Sequence, residues 1–182
     1  RDYKGNKEVL REKFHDTGVL KCRMDYKNAH PVGLVETYDD SGRLISQENY
    51  NEKGQLNGIQ KYFDETTSEK KLEKEISYLN GIKNGKEQNF KTGDFAHFEQ
   101  GVQVGSFQET TPHNDGKRII KGYIKEGVSH IQSLQEFYSN GELCRQVSYD
   151  KEGQIHGNEI TNSFTGENRN HITPYNHGVK NG

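Results

Sequence analysis

Chemistry in this chain would have to come from eight histidines, two cysteines and an evenly scattered set of carboxylates. Metal binding is legible in a sequence when ligands recur at short, fixed spacing, as in His-Glu-x-x-His or Cys-x-x-Cys. Neither pattern occurs. His97, His113 and His130 fall on separate stretches, as do His156, His171 and His177. Nucleophilic catalysis needs a thiol or hydroxyl beside a base, and no histidine lies in local register with Cys22 or Cys144. Glycine pairs such as Gly101 and Gly105 lack the strand-then-helix context of a phosphate loop. The expectation is therefore no catalytic residue, no metal and no cofactor, and so not an enzyme.

The elements that would position any such residues must suit a hydrophilic chain. Only 29% of its 182 residues are hydrophobic, yet it holds ten Tyr and eight Phe. That length suits one domain or one repeat array. So few apolar residues exclude a large globular core, while the aromatics argue against disorder. No apolar run approaches the ~20 residues needed to span a bilayer. With 25 basic and 27 acidic residues there is no broad nucleic-acid footprint. Two cysteines do not make a disulfide-stapled fold. The opening Arg1-Asp2-Tyr3 reads as a trimmed or processed piece, which leaves localisation open between cytoplasmic and extracytoplasmic.

Self-similarity decides the organisation. An aromatic, then Gly three or four residues on, then Gly four residues later, recurs from Tyr50, Tyr78, Phe98, Tyr149 and Tyr175. Weaker copies start at Tyr26, where Ala29 takes the first glycine position, and at Tyr123, where Ile131 takes the second; Tyr3-Lys-Gly5 begins another. Successive anchors lie 20 to 28 residues apart. A second aromatic series, Phe14, Tyr38, Phe63, Phe90, Tyr138 and Phe164, sits between them. Each unit therefore reads as two short segments joined by glycine-rich turns, and five Asn-Gly dipeptides support tight turns.

Leu20 to Tyr26 alternates apolar and polar residues, as do Leu72 to Tyr78 and Leu143 to Tyr149. That period marks half-buried strands. Ser68 to Leu79 is the best helix candidate, but its Leu72, Ile76 and Tyr78 fit a strand better. Asp64 to Lys71 reads as an insertion in a hairpin turn, and Gln108 to Lys117 as the longest polar loop. The predicted fold is all-β: an elongated antiparallel sheet of successive hairpins, about 14 strands in about seven units of ~25 residues. Residues 1–182 are expected to form a single array, truncated mid-repeat at both ends. The anchors Tyr26, Tyr50, Tyr78, Phe98, Tyr123, Tyr149 and Tyr175 are expected to form a ladder along one face, which would be the partner-binding surface. Open strand edges invite edge-to-edge self-association. Cys22 shares the parity of Leu20 and Tyr26, while Cys144 opposes that of Leu143 and Tyr149, so two free thiols are expected.

The unit Tyr-x(2,3)-Gly-x(3)-Gly-x(4,5)-aromatic, with Gly-x-Leu-x(5)-Tyr between, resembles the bacterial variant MORN repeat. Many chains of that type are named as YwqK-like antitoxin components. The resemblance runs from Tyr3 to Gly182 and is best in the units beginning at Tyr149 and Tyr50. It weakens at Phe90 to Phe107, which is short, and at Gly127 to Tyr138, which lacks its second glycine. It implies an elongated sheet of hairpins with no catalytic residues. The antitoxin label implies binding and neutralising a partner protein such as a toxin. Eukaryotic relatives are associated with membrane tethering and scaffolding. The alternative is a structural or cell-envelope scaffold, the repeat region of a larger secreted or membrane-anchored protein. On the chain's own residues, a nucleic-acid partner is not expected because acids balance the bases. Membrane contact is not expected either, since the densest basic spot, Glu69-Lys70-Lys71, is only partly basic.

Overall fold

The computed structural model describes residues 9–67, 69–163 and 171–181, and every helix or strand among them is a strand. Tyr3, Ser68, Phe164 and Gly182, which the sequence reading used, lie outside the described residues. The strands are β1 (Val9–Phe14), β2 (Leu20–Lys27), β3 (His30–Tyr38), β4 (Leu44–Tyr50), β5 (Gly58–Phe63), β6 (Leu72–Leu79), β7 (Ile82–Asn89), β8 (Phe95–Glu99), β9 (Val102–His113), β10 (Gly116–Lys125), β11 (Val128–Phe137), β12 (Leu143–Ser148), β13 (Gly157–Thr161), β14 (His171–Asn176) and β15 (Val179–Lys180). They form one 15-stranded open sheet in sequence order, built of successive antiparallel hairpins. The chain divides into two compact units, Arg1–Lys91 with Phe98–Val102, and Thr92–His97 with Gln103–Gly182.

Two kinds of turn build the hairpins. After Tyr26 and Tyr78 comes a two-residue turn with both residues at positive φ: Asn28–Ala29 (50° and 65°) between Lys27 and His30, and Asn80–Gly81 (51° and 84°) between Leu79 and Ile82. This type I′ geometry matches the twist of the flanking strands. Ala29 adopts it against the steric cost of a Cβ. The second kind is longer and is closed by a side chain. The Asp39 carboxylate accepts the N–H groups of Ser41 and Arg43, both at 2.9 Å, and Asn51 and Asp150 cap their turns in the same way.

The elements expected from alternation are present. Leu72–Leu79 is strand, and the Asp64 N–H donates to the Lys71 carbonyl at 2.8 Å across the expected insertion. Gln108–Lys117 is not a loop. β9 runs on to His113, β10 resumes at Gly116, and Gln108 to His113 pair with Lys121 to Gly116. Its polar residues are held by cross-strand pairing rather than by an apolar face. Asn84–Gly85 is not a turn either. It lies inside β7, where the register against β6 shifts between Ile76 and Tyr78, as at a β-bulge.

The core is thin. Among the described residues the buried apolar side chains are Cys22, Met24, Val32, Val35, Phe63, Ile76, Phe107 and Val147. Phe14, Tyr38 and Phe63 end their strands opposite Leu20, Leu44 and Leu72. In the later unit Phe137, not the expected Tyr138, takes this place opposite Leu143, and the Tyr138 hydroxyl instead donates to the Asn162 carbonyl at 2.7 Å. Both cysteines are free, Cys22 buried and Cys144 half-buried.

Candidate functional site

Directly opposed residues of antiparallel strands share a face, and each strand repeats every second residue. In the first unit the register pairs Gly33 with Tyr50, Val35 with Glu48, Ser46 with Tyr62, Gln60 with Ile76 and Gly58 with Tyr78. Glu48, Tyr50, Gln60, Tyr62, Ile76 and Tyr78 therefore lie on one face. Cys22, Met24 and Val35 form the buried cluster of this face, and Tyr26 and Tyr50 pack against it. Tyr78 is followed on the same face by Lys83, whose Nζ lies 4.8 Å from the ring centroid of Phe98, within cation–π range. Four of the seven expected anchors, Tyr26, Tyr50, Tyr78 and Phe98, thus belong to the face of this unit.

Glu48 is the polar centre of the face. The Tyr50 hydroxyl donates to its Oε2 at 3.0 Å and the Tyr62 hydroxyl to its Oε1 at 3.2 Å. Burial raises both phenols most, and the Glu48 charge adds to it; Tyr50 is pushed up to about 12 and Tyr62 further still. As neutral phenols both donate their hydroxyl hydrogens to the Glu48 carboxylate. Gln60 is fully buried. Its Oε1 accepts the Asn49 N–H at 2.5 Å, and its Nε2 donates to the carbonyls of Gly58 (3.1 Å) and Asn49 (3.3 Å). The β4–β5 ladder has only two residue pairs, and this side chain ties the strands where the ladder stops. Nearby, Glu87 binds Lys74 and Lys83, each at 2.5 Å. Burial would raise its carboxyl, but the two lysines outweigh that and hold it below the usual range.

In the second unit the pairings Ile120–Leu134–Val147 and Arg118–Glu136–Arg145 define one face. Glu136 is buried on it, 2.6 Å from Arg118, 3.1 Å from His113 and 4.0 Å from Arg145. Arg145 also binds Glu159 at 2.8 Å. Tyr149, two residues beyond Val147, and Tyr175, opposite Gly157 on the Glu159 side, follow this face by alternation. Tyr123 does not. Its neighbour Gly122 shares the face with Ile120 and pairs with Phe107, so Tyr123 points the other way and stacks on His130 at 4.8 Å. One continuous ladder of every anchor is therefore corrected. Tyr123 stands three positions after Ile120, whereas Tyr26, Tyr78 and Tyr149 stand two positions after Met24, Ile76 and Val147.

Sequence reasoning missed Tyr62 and Glu48, which carry no repeat signature. It also placed the histidines apart, whereas His156 and His177 meet with ring centroids 4.8 Å apart. Successive turns stack in space, which local spacing does not reveal. No helix among the described residues is long and apolar enough to cross a membrane.

Residues 31–52 and 134–155 match the MORN repeat variant family, one stretch in each unit. Repeats of this kind are generally non-catalytic interaction or scaffold modules that contact proteins or membrane lipids. No curated protein matches the chain. Among solved structures, a protein of unknown function from Bacteroides fragilis is similar over 92% of this chain and 89% of its own, at 9% identity and a TM-score of 0.21.

Proposed function

We propose that the chain is a non-catalytic module that binds a protein partner on the Glu48-centred tyrosine face. The observation that carries this reading is the state of Tyr26, Tyr50, Tyr62 and Tyr78. All four are half-buried, Tyr26 and Tyr50 against the apolar cluster and Tyr50 and Tyr62 tied through their hydroxyls to Glu48. Rings fixed at their bases offer amphipathic contact area at little entropic cost on binding. Phe98 extends the same surface, and Tyr149 and Tyr175 are the corresponding positions of the second unit; Tyr123 is not part of it. The sharper reading, an antitoxin or immunity protein that neutralises a toxic partner, is supported by the resemblance of the repeat.

The test is a pull-down from native lysate followed by hydrogen exchange on the recovered complex. One stoichiometric protein that protects the strands bearing Tyr26, Tyr50, Tyr62 and Tyr78 is the expected result. Failure to recover any such protein favours the scaffold reading, and a footprint elsewhere removes the tyrosine face as the site. Co-expression then tests neutralisation: relief of growth arrest supports it, and a partner with no toxicity retires it while leaving the binding reading in place.

A further inference from the structure

Asp150 begins the turn after Tyr149, His156 ends it, and His177 sits in the next anchor turn, 21 residues on. The Gly178 N–H donates to the Ile155 carbonyl at 2.9 Å and lays the second turn against the first. The potential ligand atoms of Asp150, His156 and His177 then all lie within 4.8 Å of one another, the one such group of three among the described residues. His177 Nδ1 is 2.8 Å from Asp150 Oδ2. Asp150 is held from behind: its Oδ1 accepts the N–H of Glu152 at 3.0 Å and of Gln154 at 2.8 Å, which leaves Oδ2 directed at the imidazoles. Its side chain is only 9% exposed, while both histidines are open to solvent.

The first unit supplies an internal control. The same three positions there are Asn51, Asn57 and Asn80, in turns closed by equivalent backbone bonds: Asn51 N–H to Gln55, Asn57 N–H to Asn49 and Gly81 N–H to Leu56, matching Asp150 to Gln154, His156 to Ser148 and Gly178 to Ile155. The amides satisfy one another. Asn51 Nδ2 donates to Asn80 Oδ1 at 2.9 Å, and the Asn80 N–H donates to Asn57 Oδ1 at 3.2 Å. Three asparagines are therefore enough to join such turns. At the second copy all three positions carry ligand-forming groups instead.

We propose that Asp150, His156 and His177 bind a divalent transition-metal ion of the zinc, nickel and copper class. Two imidazoles and one carboxylate suit these ions better than calcium or magnesium, which prefer all-oxygen sets. Bonds of about 2.0–2.2 Å need only a slight opening of the 2.8 Å His177–Asp150 pair and a closing of the wider spacings, and exposed imidazoles reach both by rotating about their side-chain bonds. Three protein ligands leave a coordination position for water or for a group of a bound molecule. This site is independent of the tyrosine face, since its three residues take no part in it.

The experiment is calorimetric titration of the whole chain with zinc chloride, repeated with cobalt to read its visible ligand-field bands. Three proteins are compared: the parent, His156→Asn, and the triple variant Asp150→Asn, His156→Asn, His177→Asn. The triple variant recreates the amide set that the chain already carries at 51, 57 and 80, so the turns keep a native solution. The parent is expected to bind one equivalent of zinc at this site and to melt higher with it. His156→Asn should weaken that binding at least as much as loss of an outer-shell partner, about 10- to 100-fold, and the triple variant should abolish it. Equal zinc binding by parent and triple variant, or no stoichiometric uptake by the parent, overturns the proposal. If the triple variant does not fold, nickel broadening of the parent's imidazole NMR signals decides: selective loss of His156 and His177 supports the site, and uniform or absent broadening overturns it.

Discussion

Tyr50→Phe and Tyr62→Phe each take one hydroxyl from Glu48 and leave the ring in place, so they isolate the polar contact at the centre of the tyrosine face. A hydrogen bond to a charged acceptor contributes about 1.5–3 kcal/mol when dry. Both hydroxyls are only partly buried, and solvent competition reduces the expected cost to about 1 kcal/mol for each variant. Glu48→Gln keeps a carbonyl acceptor but loses the charge, and should cost a similar amount. Because both phenols share one carboxylate, the double-mutant cycle of Tyr50→Phe with Glu48→Gln should show a coupling of about 0.5–1 kcal/mol. Removing the ring as well, in Tyr50→Ala or Tyr78→Ala, should cost about 3 kcal/mol. Thermal melts read these differences as shifts of about 2–4 °C per kcal/mol for a chain of this length. Hydroxyl-less variants as stable as the parent, with no coupling in the cycle, would refute the assignment of Glu48 as the anchor of the face.

Raising the pH tests the same group without mutation. The folded state holds the Tyr50 proton more tightly than the unfolded chain, so that stability is fully present below pH 10 and is lost as pH climbs from 10 towards about 12; phenolate absorbance should show late-ionising tyrosines in the native protein and not in urea. Ala29→Gly relieves a left-handed alanine at φ 65° and, after the entropy of a freer unfolded chain, should stabilise by about 0.5–1 kcal/mol in a urea titration. A destabilised Ala29→Gly would contradict the turn geometry. Gly122→Ala places a Cβ 2.4 Å from the His130 carbonyl oxygen and 3.0 Å from the Phe107 ring; an overpacking loss of about 1–3 kcal/mol is expected in the same assay, and a neutral outcome would argue against the β10–β11 register.

The repeat was legible because its signals are local. Tyr, Gly and Asn at fixed offsets specify hairpins, and Leu20–Tyr26, Leu72–Tyr78 and Leu143–Tyr149 carry the strand period openly. What escaped depends on which residues oppose one another across strands. Glu48 and Tyr62 look like ordinary polar-strand residues until Ser46 is set opposite Tyr62. Tyr123 keeps the repeat spacing but sits three residues, not two, past its nearest inward apolar residue, and Phe107 packs against Gly122 in its stead. Gln108–Lys117 reads as loop because its strand pairing is reinforced by ions, Arg118 and His113 on Glu136, rather than by apolar residues. His156 and His177 meet only because consecutive anchor turns stack.

The most direct test of the account is an NMR titration of ring-labelled tyrosine with the recovered partner. The signals of Tyr26, Tyr50, Tyr62 and Tyr78 should shift together and saturate at one equivalent, while Tyr123, stacked on His130 on the opposite face of its strand, stays in place. Movement of Tyr123 with the first-unit tyrosines unchanged would contradict the assignment of the binding face.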